Sequence, residues 1–252
     1  MHDWYTQFYE KTKTSKIHAM FCERLYGKNF CQHGFMDMQQ LEQLLGVARL
    51  DSWNNILELG CGNGYIAEYI SDVTQCHITG IDYIQKAIQQ AEERTRAKRD
   101  RLTFMCGDMR EVDFSPGSFN TILSIDTIYF YEDLRKAIQK IRRWITDRGQ
   151  FLIFYSYSLK EDSESSDGTL LPKKTPLGVA LTQNGLRVMS WDLTQQDYQH
   201  QRLKKRLAEK FRPMFEAEGI RFIYENRIAE ANGYTAAFES GRHCRYLYRA
   251  TL

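Results

Sequence analysis

Three glycines at alternate positions, Gly60, Gly62 and Gly64, mark the stretch of the chain best suited to bind a ligand. An apolar run precedes them and apolar residues at helical spacing follow, so the pattern predicts a strand, a tight turn and a helix. Because glycine has no Cβ, the backbone of such a turn can approach a ligand closely. The unpaired N–H groups at the start of the helix favour a carboxylate or a phosphate. We therefore expect a ligand to bind at this turn.

The spacing of the glycines distinguishes between ligands. The dinucleotide fingerprint G-x-G-x-x-G would need glycine at position 65, where the chain has Tyr65, so an NAD-linked oxidoreductase is disfavoured. The run Glu58-x-Gly60-x-Gly62-x-Gly64 instead resembles the first motif of class I S-adenosylmethionine (SAM)-dependent methyltransferases of the small-molecule type. A glycine turn that binds nothing is the alternative interpretation.

The resemblance implies a cofactor site built at the ends of several strands. In this family the glycine loop borders the methionine part of SAM, and the acid at the strand end, here Glu58, helps to orient the loop and the ligand's amino group. The acid of the Gly-Asp turn after the third strand, here Asp108, lies beside the adenine amino group. The resemblance thus implies SAM as cofactor, S-adenosylhomocysteine as its product, and no metal. The implied cofactor-binding residues are Glu58, Gly60, Cys61, Gly62, Gly64, Asp82, Tyr83, Gly107, Asp108, Met109, Ser124 and Ile125.

Asp82 ends a β-branched run about twenty residues beyond the glycine turn, at a spacing that suits a nucleotide or SAM. A carboxylate at the end of the second strand can accept hydrogen bonds from both ribose hydroxyls, each contributing roughly 1.5 to 3 kcal/mol. The alternative is a helix cap, because Asp is favoured just before a helix and the residues from Ala87 to Arg99 have helical spacing.

The implied reaction is in-line transfer of the sulfonium methyl group to a nitrogen, oxygen, sulfur or carbon atom of a small-molecule acceptor. An alcohol or phenol acceptor would need a base, for which the candidate catalytic residues are His33, Tyr129 and Asp126. His33 alone is equally compatible with a structural role. A catalytically silent SAM-binding sensor would keep the same loop and acids.

The stretch from Ser124 to Ile128 also resembles the corresponding part of phosphoethanolamine methyltransferases. Those enzymes place a catalytic histidine where this chain has Phe130. We therefore carry over neither that substrate nor that catalytic pair.

Alternating strands and helices predict an α/β fold with a doubly wound, mostly parallel seven-stranded sheet, which is Rossmann-like and has an antiparallel last strand. We expect a single domain over 1–252. Its parts are an N-terminal helical cap at 1–50, a SAM-binding core at 51–157, an inserted lid for the acceptor at 158–218, and the last two strands at 219–252.

Two further expectations concern the second half of the chain. The lid is placed before strand six, which is assigned to Arg221–Glu225, and its polar run Lys160–Gly168 lacks apolar residues. The last strand, around His243–Arg249, is expected to pair with the sixth.

The charge and the residue composition of the chain disfavour several classes of function. The 252 residues include 34 basic and 32 acidic side chains, a net charge of +2 that does not indicate a dedicated nucleic-acid surface. The basic run between Arg202 and Arg206 fits a solvated helix face, which leaves an RNA-directed methyltransferase as a less favoured alternative. Neither a leader nor a membrane-spanning run stands out, and the six cysteines lack metal spacing, so we expect a cytoplasmic protein that contacts no membrane. Its oligomeric state is left open.

Overall fold

A computed structural model describes residues 1–160 and 168–252. The helices of these residues are α1 (His2–Thr12), α2 (Lys16–Tyr26), α3 (Met38–Ala48), α4 (Tyr65–Thr74), α5 (Gln85–Arg94), α6 (Leu134–Trp144), α7 (Pro176–Gln183), α8 (Thr194–Ala217) and α9 (Arg221–Glu239). The strands are β1 (Asn55–Leu59), β2 (His77–Asp82), β3 (Leu102–Cys106), β4 (Phe119–Ile125), β5 (Ile145–Ser158), β6 (Arg187–Asp192) and β7 (His243–Thr251).

The strands form a seven-stranded sheet in the order β3-β2-β1-β4-β5-β7-β6. β1 runs parallel to β2 and β4, β2 is parallel to β3, and β4 is parallel to β5. β7 runs antiparallel to both β5 and β6. The doubly wound, mostly parallel sheet with an antiparallel last strand is confirmed, and the last strand pairs with β6 instead of the expected partner Arg221–Glu225. The order reverses between β1 and β4, and the crevice at such a reversal is where open α/β sheets bind ligands.

Helices cover both faces of the sheet because successive strand residues point to opposite sides. Apolar residues of α3, α4 and α5 form one core cluster with the strands, and those of α6 and α7 form another on the opposite face. α6 begins where the Asp133 carboxylate accepts a hydrogen bond from the N–H of Lys136, and its buried residues recur at helical spacing up to Trp144. α1 and α2 of the expected N-terminal cap pack with α8 and α9 into a third cluster, whereas α3 packs on the sheet.

The assignment of strand six to Arg221–Glu225 is wrong, because these residues begin α9. Their aromatic and β-branched composition favours a strand locally, but the buried residues Ile223, Arg227 and Ala231 recur every four positions and form one helix face. The sixth strand is β6, inside the range expected to form the lid.

The inserted helices therefore lie at a different place in the chain from the one expected. α8 and α9 lie between β6 and β7 and therefore follow the sixth strand, and 219–252 contains one strand instead of two. Residues 161–167 of the expected lid lie outside the described part of the chain. Within 1–160 and 168–252, no helix is both long and apolar enough to cross a membrane.

A buried hydrogen-bond chain joins α8, β5 and β7 at the end of the sheet. The Asp197 carboxylate lies 2.9 Å from His243 Nε2, and His243 Nδ1 lies 2.8 Å from Ser158 Oγ. Burial by itself would raise the pKa of Asp197, but the hydrogen bond with His243 and the charge of Arg245 lower that pKa to about 2. Ionised Asp197 is therefore part of the folded state.

We expect this chain of hydrogen bonds to make the fold acid-sensitive. Because the pKa of Asp197 is lowered on folding from 3.8, its contribution is present above pH 3.8 and is lost as the pH falls through about 2. The shift corresponds to about 2 kcal/mol of unfolding free energy. Urea unfolding of wild type and Asp197→Asn across this pH range measures it, and the gap between the two proteins should shrink on acidification. A gap that does not change with pH would contradict the assignment.

Candidate active site

A cavity of about 580 Å³ opens at the carboxyl ends of β1, β2 and β4, where the strand order reverses. Ten of the twelve predicted cofactor-binding residues line it, and so do all three predicted catalytic residues. The predicted cofactor residues along the wall are Glu58, Gly60, Cys61, Gly62, Asp82, Tyr83, Gly107, Asp108, Met109 and Ile125. Most of the residues that separate sequence motifs predicted for the cofactor site therefore lie around one cavity.

The glycine loop approaches its neighbours too closely for side chains. Gly60 and Gly62 have φ values of +70° and +57°, in the left-handed region. A Cβ on Gly60 would lie 2.5 Å from Thr127 Cγ2, and one on Gly62 would lie 2.5 Å from Tyr9 Oη. The loop thus runs between the end of β4 and helix α1, which covers it.

The Asp82 carboxylate fixes the loop from the end of β2. Its two oxygens accept hydrogen bonds from the N–H groups of Gly62, at 2.8 Å, and Ile84, at 2.9 Å. Burial raises the pKa of Asp82, although both hydrogen bonds oppose the shift. The residue before α5 is Ile84, so the alternative of Asp82 as the cap of that helix does not hold. A carboxylate at the cavity wall, with further lone pairs available, remains compatible with ribose binding.

Glu58 presents a buried carboxyl group to the cavity. Its residue is 2% exposed, and Oε2 has no hydrogen-bond partner among the described residues. Burial raises the pKa of Glu58 to about 8, and the charge of Asp82 adds to the effect. A buried polar atom without a partner is costly, so this oxygen favours a ligand that carries a hydrogen-bond donor or a positive charge.

Asp108 lies at the cavity wall but is already paired. Arg110 contacts both of its carboxylate oxygens, at 2.9 and 2.5 Å. The hydrogen bond from Arg110 lowers the pKa of Asp108. The adjacent Met109 carbonyl accepts a hydrogen bond from the Tyr131 hydroxyl at 2.8 Å, which holds this turn against the end of β4.

Two predicted cofactor residues, Gly64 and Ser124, do not line the cavity. Gly64 precedes α4 with a φ of +73°, and a Cβ there would lie 2.5 Å from the Phe104 ring. Ser124 is fully buried, and its hydroxyl lies 2.9 Å from Thr127 Oγ1, which donates to the Leu59 carbonyl. Both residues support the loop from beneath, so the structure gives them a packing role at the edge of the cavity.

Asp126 is placed at the wall, but its carboxylate is occupied. It accepts hydrogen bonds from the N–H groups of Phe35 and Met36, at 2.8 and 3.2 Å, and it pairs with Arg245 at 2.6 Å. Only 2% of its side chain is exposed. Its two oxygens are both engaged by these donors, so the position favours a structural role.

The Tyr129 hydroxyl is likewise engaged. It accepts a hydrogen bond from the N–H of Ser156 at 2.5 Å, and its ring stacks on Tyr155 with centroids 5.3 Å apart. Burial raises the pKa of Tyr129 well above its usual value, and the charge of Asp126 adds to this. The phenolate that a base would require is therefore strongly disfavoured.

His33 is the third catalytic candidate, and its imidazole lies between the cavity and α9. Its Nε2 is 3.0 Å from Asn226 Oδ1 and 3.3 Å from Glu230 Oε1, and its Nδ1 is 3.4 Å from Tyr5 Oη. Burial lowers the pKa of His33 to about 4, with Glu230 opposing the shift. The imidazole is therefore neutral near pH 7.

Sequence reasoning missed the charged residues that support this region. Glu230 and Arg227 lie on α9, whose first residues were taken for a strand. Arg245 lies on β7 and pairs with Asp126, a contact between distant segments that leaves no local signal. The available signal was the i, i+3 spacing of Arg227 and Glu230 in a run with helical burial. No described residue of 158–218 lines the cavity, so the expectation that this range forms the acceptor lid is not supported.

Comparison with known proteins identifies a family for this chain. A family model described as a methyltransferase domain matches residues 50–219, more than half of the chain. The eEF1A lysine and N-terminal methyltransferase of Bos taurus is 30% identical over 99 residues, which cover 38% of this chain and 14% of that protein. The phosphoethanolamine N-methyltransferase of Plasmodium falciparum is 26% identical over 133 residues, covering 52% of this chain and 49% of that protein.

Among solved structures, the chain is similar to phosphoethanolamine N-methyltransferase 2 of Haemonchus contortus in complex with phosphomonomethylethanolamine and S-adenosylhomocysteine. The TM-score is 0.76 at 18% identity, and the match covers 98% of this chain and 60% of that chain. At this identity the likeness concerns the fold. The chain thus spans only part of each of these three proteins.

Proposed function

The chain belongs to the methyltransferase domain family, and we propose on this premise that it transfers a methyl group from SAM to a small-molecule acceptor by in-line displacement. The observation that carries the proposal is the buried carboxyl group of Glu58, a residue that has an unpartnered oxygen and lines the same cavity as a glycine loop fixed by Asp82. The Glu58 carboxyl group could bind the amino group of SAM, the glycine loop could bind its carboxylate, and Asp82 could bind its ribose. The cavity fits such a ligand in chemistry.

Different residues would bind different parts of SAM. Glu58 would accept the ligand's ammonium group, because its Oε2 has no hydrogen-bond partner among the described residues. Gly60 and Gly62 would let the backbone approach, and Asp82 would accept from the ribose. When bound, SAM supplies an electrophilic methyl group on a sulfonium.

The protein's own contribution is alignment and exclusion of water. Tyr5 and Tyr9 of α1 line the cavity, and Tyr9 lies against the glycine loop. Holding the two reactants in line can account for roughly 7 to 11 kcal/mol of barrier lowering. We therefore place helix α1 of the N-terminal cap, and not the described residues of 158–218, over the reacting atoms.

The acceptor is not assigned from the phosphoethanolamine enzymes. Arg110 is the sole arginine among the described residues that line the cavity, and it already pairs with Asp108, while no lysine lines it. A phosphate-bearing acceptor would need cationic donors that are available for it. We therefore extend only the coarser activity, methylation of a small molecule, to this chain.

The proposal is tested with methyl-labelled SAM and a pooled metabolite extract. We expect label in a low-molecular-weight product, formed only in the presence of the protein. A protein that binds SAM but labels nothing would instead be a SAM-binding sensor, a candidate kept because Asp126 and Tyr129 are both engaged in structural contacts. Label in an RNA or protein fraction would show that the acceptor is a macromolecule and not a small molecule.

Proton release on binding gives a second test of the Glu58 assignment. With a pKa of about 8, Glu58 is mostly protonated at pH 7, and a nearby ammonium group would favour its ionised form. SAM binding should therefore release protons, and SAM affinity should rise as the pH increases from about 6 to 8. Calorimetry in buffers of different ionisation enthalpy measures the release, which Glu58→Gln should abolish. Equal proton release by both proteins would contradict the assignment.

A further inference from the structure

The loop between α2 and α3, which carries His33, is fixed by hydrogen bonds from distant elements. Arg227 of α9 donates to the carbonyl oxygens of Gln32 and His33, each at 2.9 Å. On the other side, the Asp126 carboxylate accepts from the N–H of Phe35. The backbone that presents the imidazole is therefore held from both sides.

Aromatic rings also hold the imidazole itself. The rings of Trp4, Tyr5 and Phe8 meet it edge-on, with centroid distances of 4.8, 5.4 and 5.7 Å. All three come from α1, the helix that covers the cavity. The orientation of His33 is thus fixed at its ring as well as at its backbone.

The two ring nitrogens of His33 face different partners. Nε2 faces the oxygens of Asn226 and Glu230, which accept, so the geometry assigns the proton of the neutral ring to Nε2. Nδ1 is then the acceptor, and the Tyr5 hydroxyl at 3.4 Å donates to it. The lone pair that can take a proton therefore points toward Tyr5 at the cavity wall.

Glu230 is held ionised beside the imidazole. Burial by itself would raise the pKa of Glu230, but Lys204, His33 and Arg227 together lower it. Its Oε2 lies 3.4 Å from Lys204 Nζ and 3.7 Å from Arg227 Nη1, which leaves Oε1 toward His33. A carboxylate behind a histidine stabilises the imidazolium that forms when the histidine takes a proton.

We propose that Tyr5, His33 and Glu230 form a proton relay that serves a hydroxylated aromatic acceptor, so that the enzyme is an O-methyltransferase. This inference rests on the proposed function. A neutral amine needs no base to attack, whereas a phenol must lose its proton. A buried proton relay is therefore required only for the hydroxylated acceptor. Around Tyr5, the rings of Tyr83 and Phe130 lie 6.5 and 6.4 Å away and line the same cavity, forming walls for a flat acceptor.

The step balances without any further reactant. The acceptor's O–H proton passes to the Tyr5 oxygen while the Tyr5 proton passes to His33 Nδ1, and the phenolic oxygen forms the new bond to the methyl carbon. The carbon–sulfur bond breaks, and its electron pair stays on sulfur. The imidazolium, stabilised by Glu230, later returns its proton to solvent. Tyr5 touches the acceptor and is catalytic, His33 is the base behind it, and Glu230 is a positioning residue.

The charges around His33 set the sign of the expected pH effect. Tyr5 faces it from α1, Glu230 and Arg227 from α9, and Lys204 from α8, and His18 of α2 interacts with it electrostatically. Burial, Arg227 and Lys204 lower the pKa of His33, and Glu230 raises it. Removing the Glu230 charge should therefore lower that pKa further and move the acid limb of the rate profile to lower pH, while a weaker base lowers the plateau rate.

The experiment compares Tyr5→Phe, His33→Gln and Glu230→Gln with wild type, using methyl-labelled SAM and a mixture of simple phenols, primary alcohols and primary amines. Glu225→Gln is the matched control, since Glu225 lies on the same helix in an exposed ion pair with Arg221. We expect label on the phenols, a loss of rate of at least about tenfold in Tyr5→Phe and His33→Gln, and SAM affinity within about threefold of wild type. Glu230→Gln should also show the shifted acid limb, which a purely structural role would not produce.

Each outcome decides between the alternatives. Wild-type rates in folded His33→Gln, or label on amines alone, would overturn the relay and leave methyl transfer intact. If His33→Gln does not fold, Tyr5→Phe takes its place, because it keeps the aromatic ring of residue 5 and removes only the hydroxyl. A wild-type rate in folded Tyr5→Phe would then overturn the relay. Wild-type protein that binds SAM but labels neither the mixture nor the metabolite extract would overturn the proposed function and the relay together.

Discussion

Asp82→Ala is expected to weaken SAM binding at least tenfold, which corresponds to about 1.4 kcal/mol or more of binding free energy. The variant removes the proposed acceptor of the ribose hydroxyls. It also removes the oxygens that hold the N–H groups of Gly62 and Ile84, so the glycine loop loses its support from β2. Both effects act on the same ligand, and calorimetric titration with SAM measures their sum.

Two further variants separate these effects. Asp82→Asn keeps one oxygen acceptor but loses the charge and the second acceptor, so an intermediate affinity is expected. Asp147→Ala removes an exposed carboxylate near the start of β5 and should leave affinity unchanged. Wild-type affinity in a folded Asp82→Ala protein would show that Asp82 does not hold the cofactor.

Gly64→Ala is expected to lower the unfolding free energy by about 2 to 5 kcal/mol. A Cβ at this position would lie 2.5 Å from Phe104 Cε1 and 3.0 Å from Ala91 Cβ, and the backbone has a φ of +73°. The left-handed backbone accounts for about 1 to 2 kcal/mol, and the clash with the ring accounts for the rest.

The chain offers matched controls for both contributions. Gly185 has the same φ of +73°, but a Cβ there would meet no atom within 4 Å, so Gly185→Ala should cost only the backbone part. Gly46 lies inside α3 with open space around it, and Gly46→Ala should raise stability by about 0.5 to 1 kcal/mol. Urea unfolding compares the three proteins. Equal losses in Gly64→Ala and Gly185→Ala would contradict the packing role of Gly64.

The cofactor side of the site could be predicted because its signals are local. The glycines follow β1 directly, and Asp82 and Asp108 stand at or just beyond the ends of their strands. In a parallel sheet these ends meet at one edge, so three short motifs suffice to place one cavity. Gly64 and Ser124 do not line the cavity, because adjacency along the chain does not indicate which side of the loop a residue supports.

The acceptor side depends on contacts between distant parts of the chain. His33 meets Asn226 and Glu230 of α9, whose starting residues were taken for a strand because phenylalanine, isoleucine and tyrosine favour strands locally. Asp126 appeared to be a candidate base because its pairing with Arg245, across the sheet, leaves no sequence signal. Side-chain networks of this kind are determined by tertiary packing, which overrides local propensity.

Calorimetric titration of the purified chain with SAM, and with S-adenosylhomocysteine in competition, tests the assignment of the cavity most directly. We predict one SAM per chain with a dissociation constant on the order of micromolar, and displacement by the demethylated product. Absence of binding at about 1 mM ligand by a folded protein would contradict the assignment of the glycine loop, Glu58 and Asp82 as a SAM site.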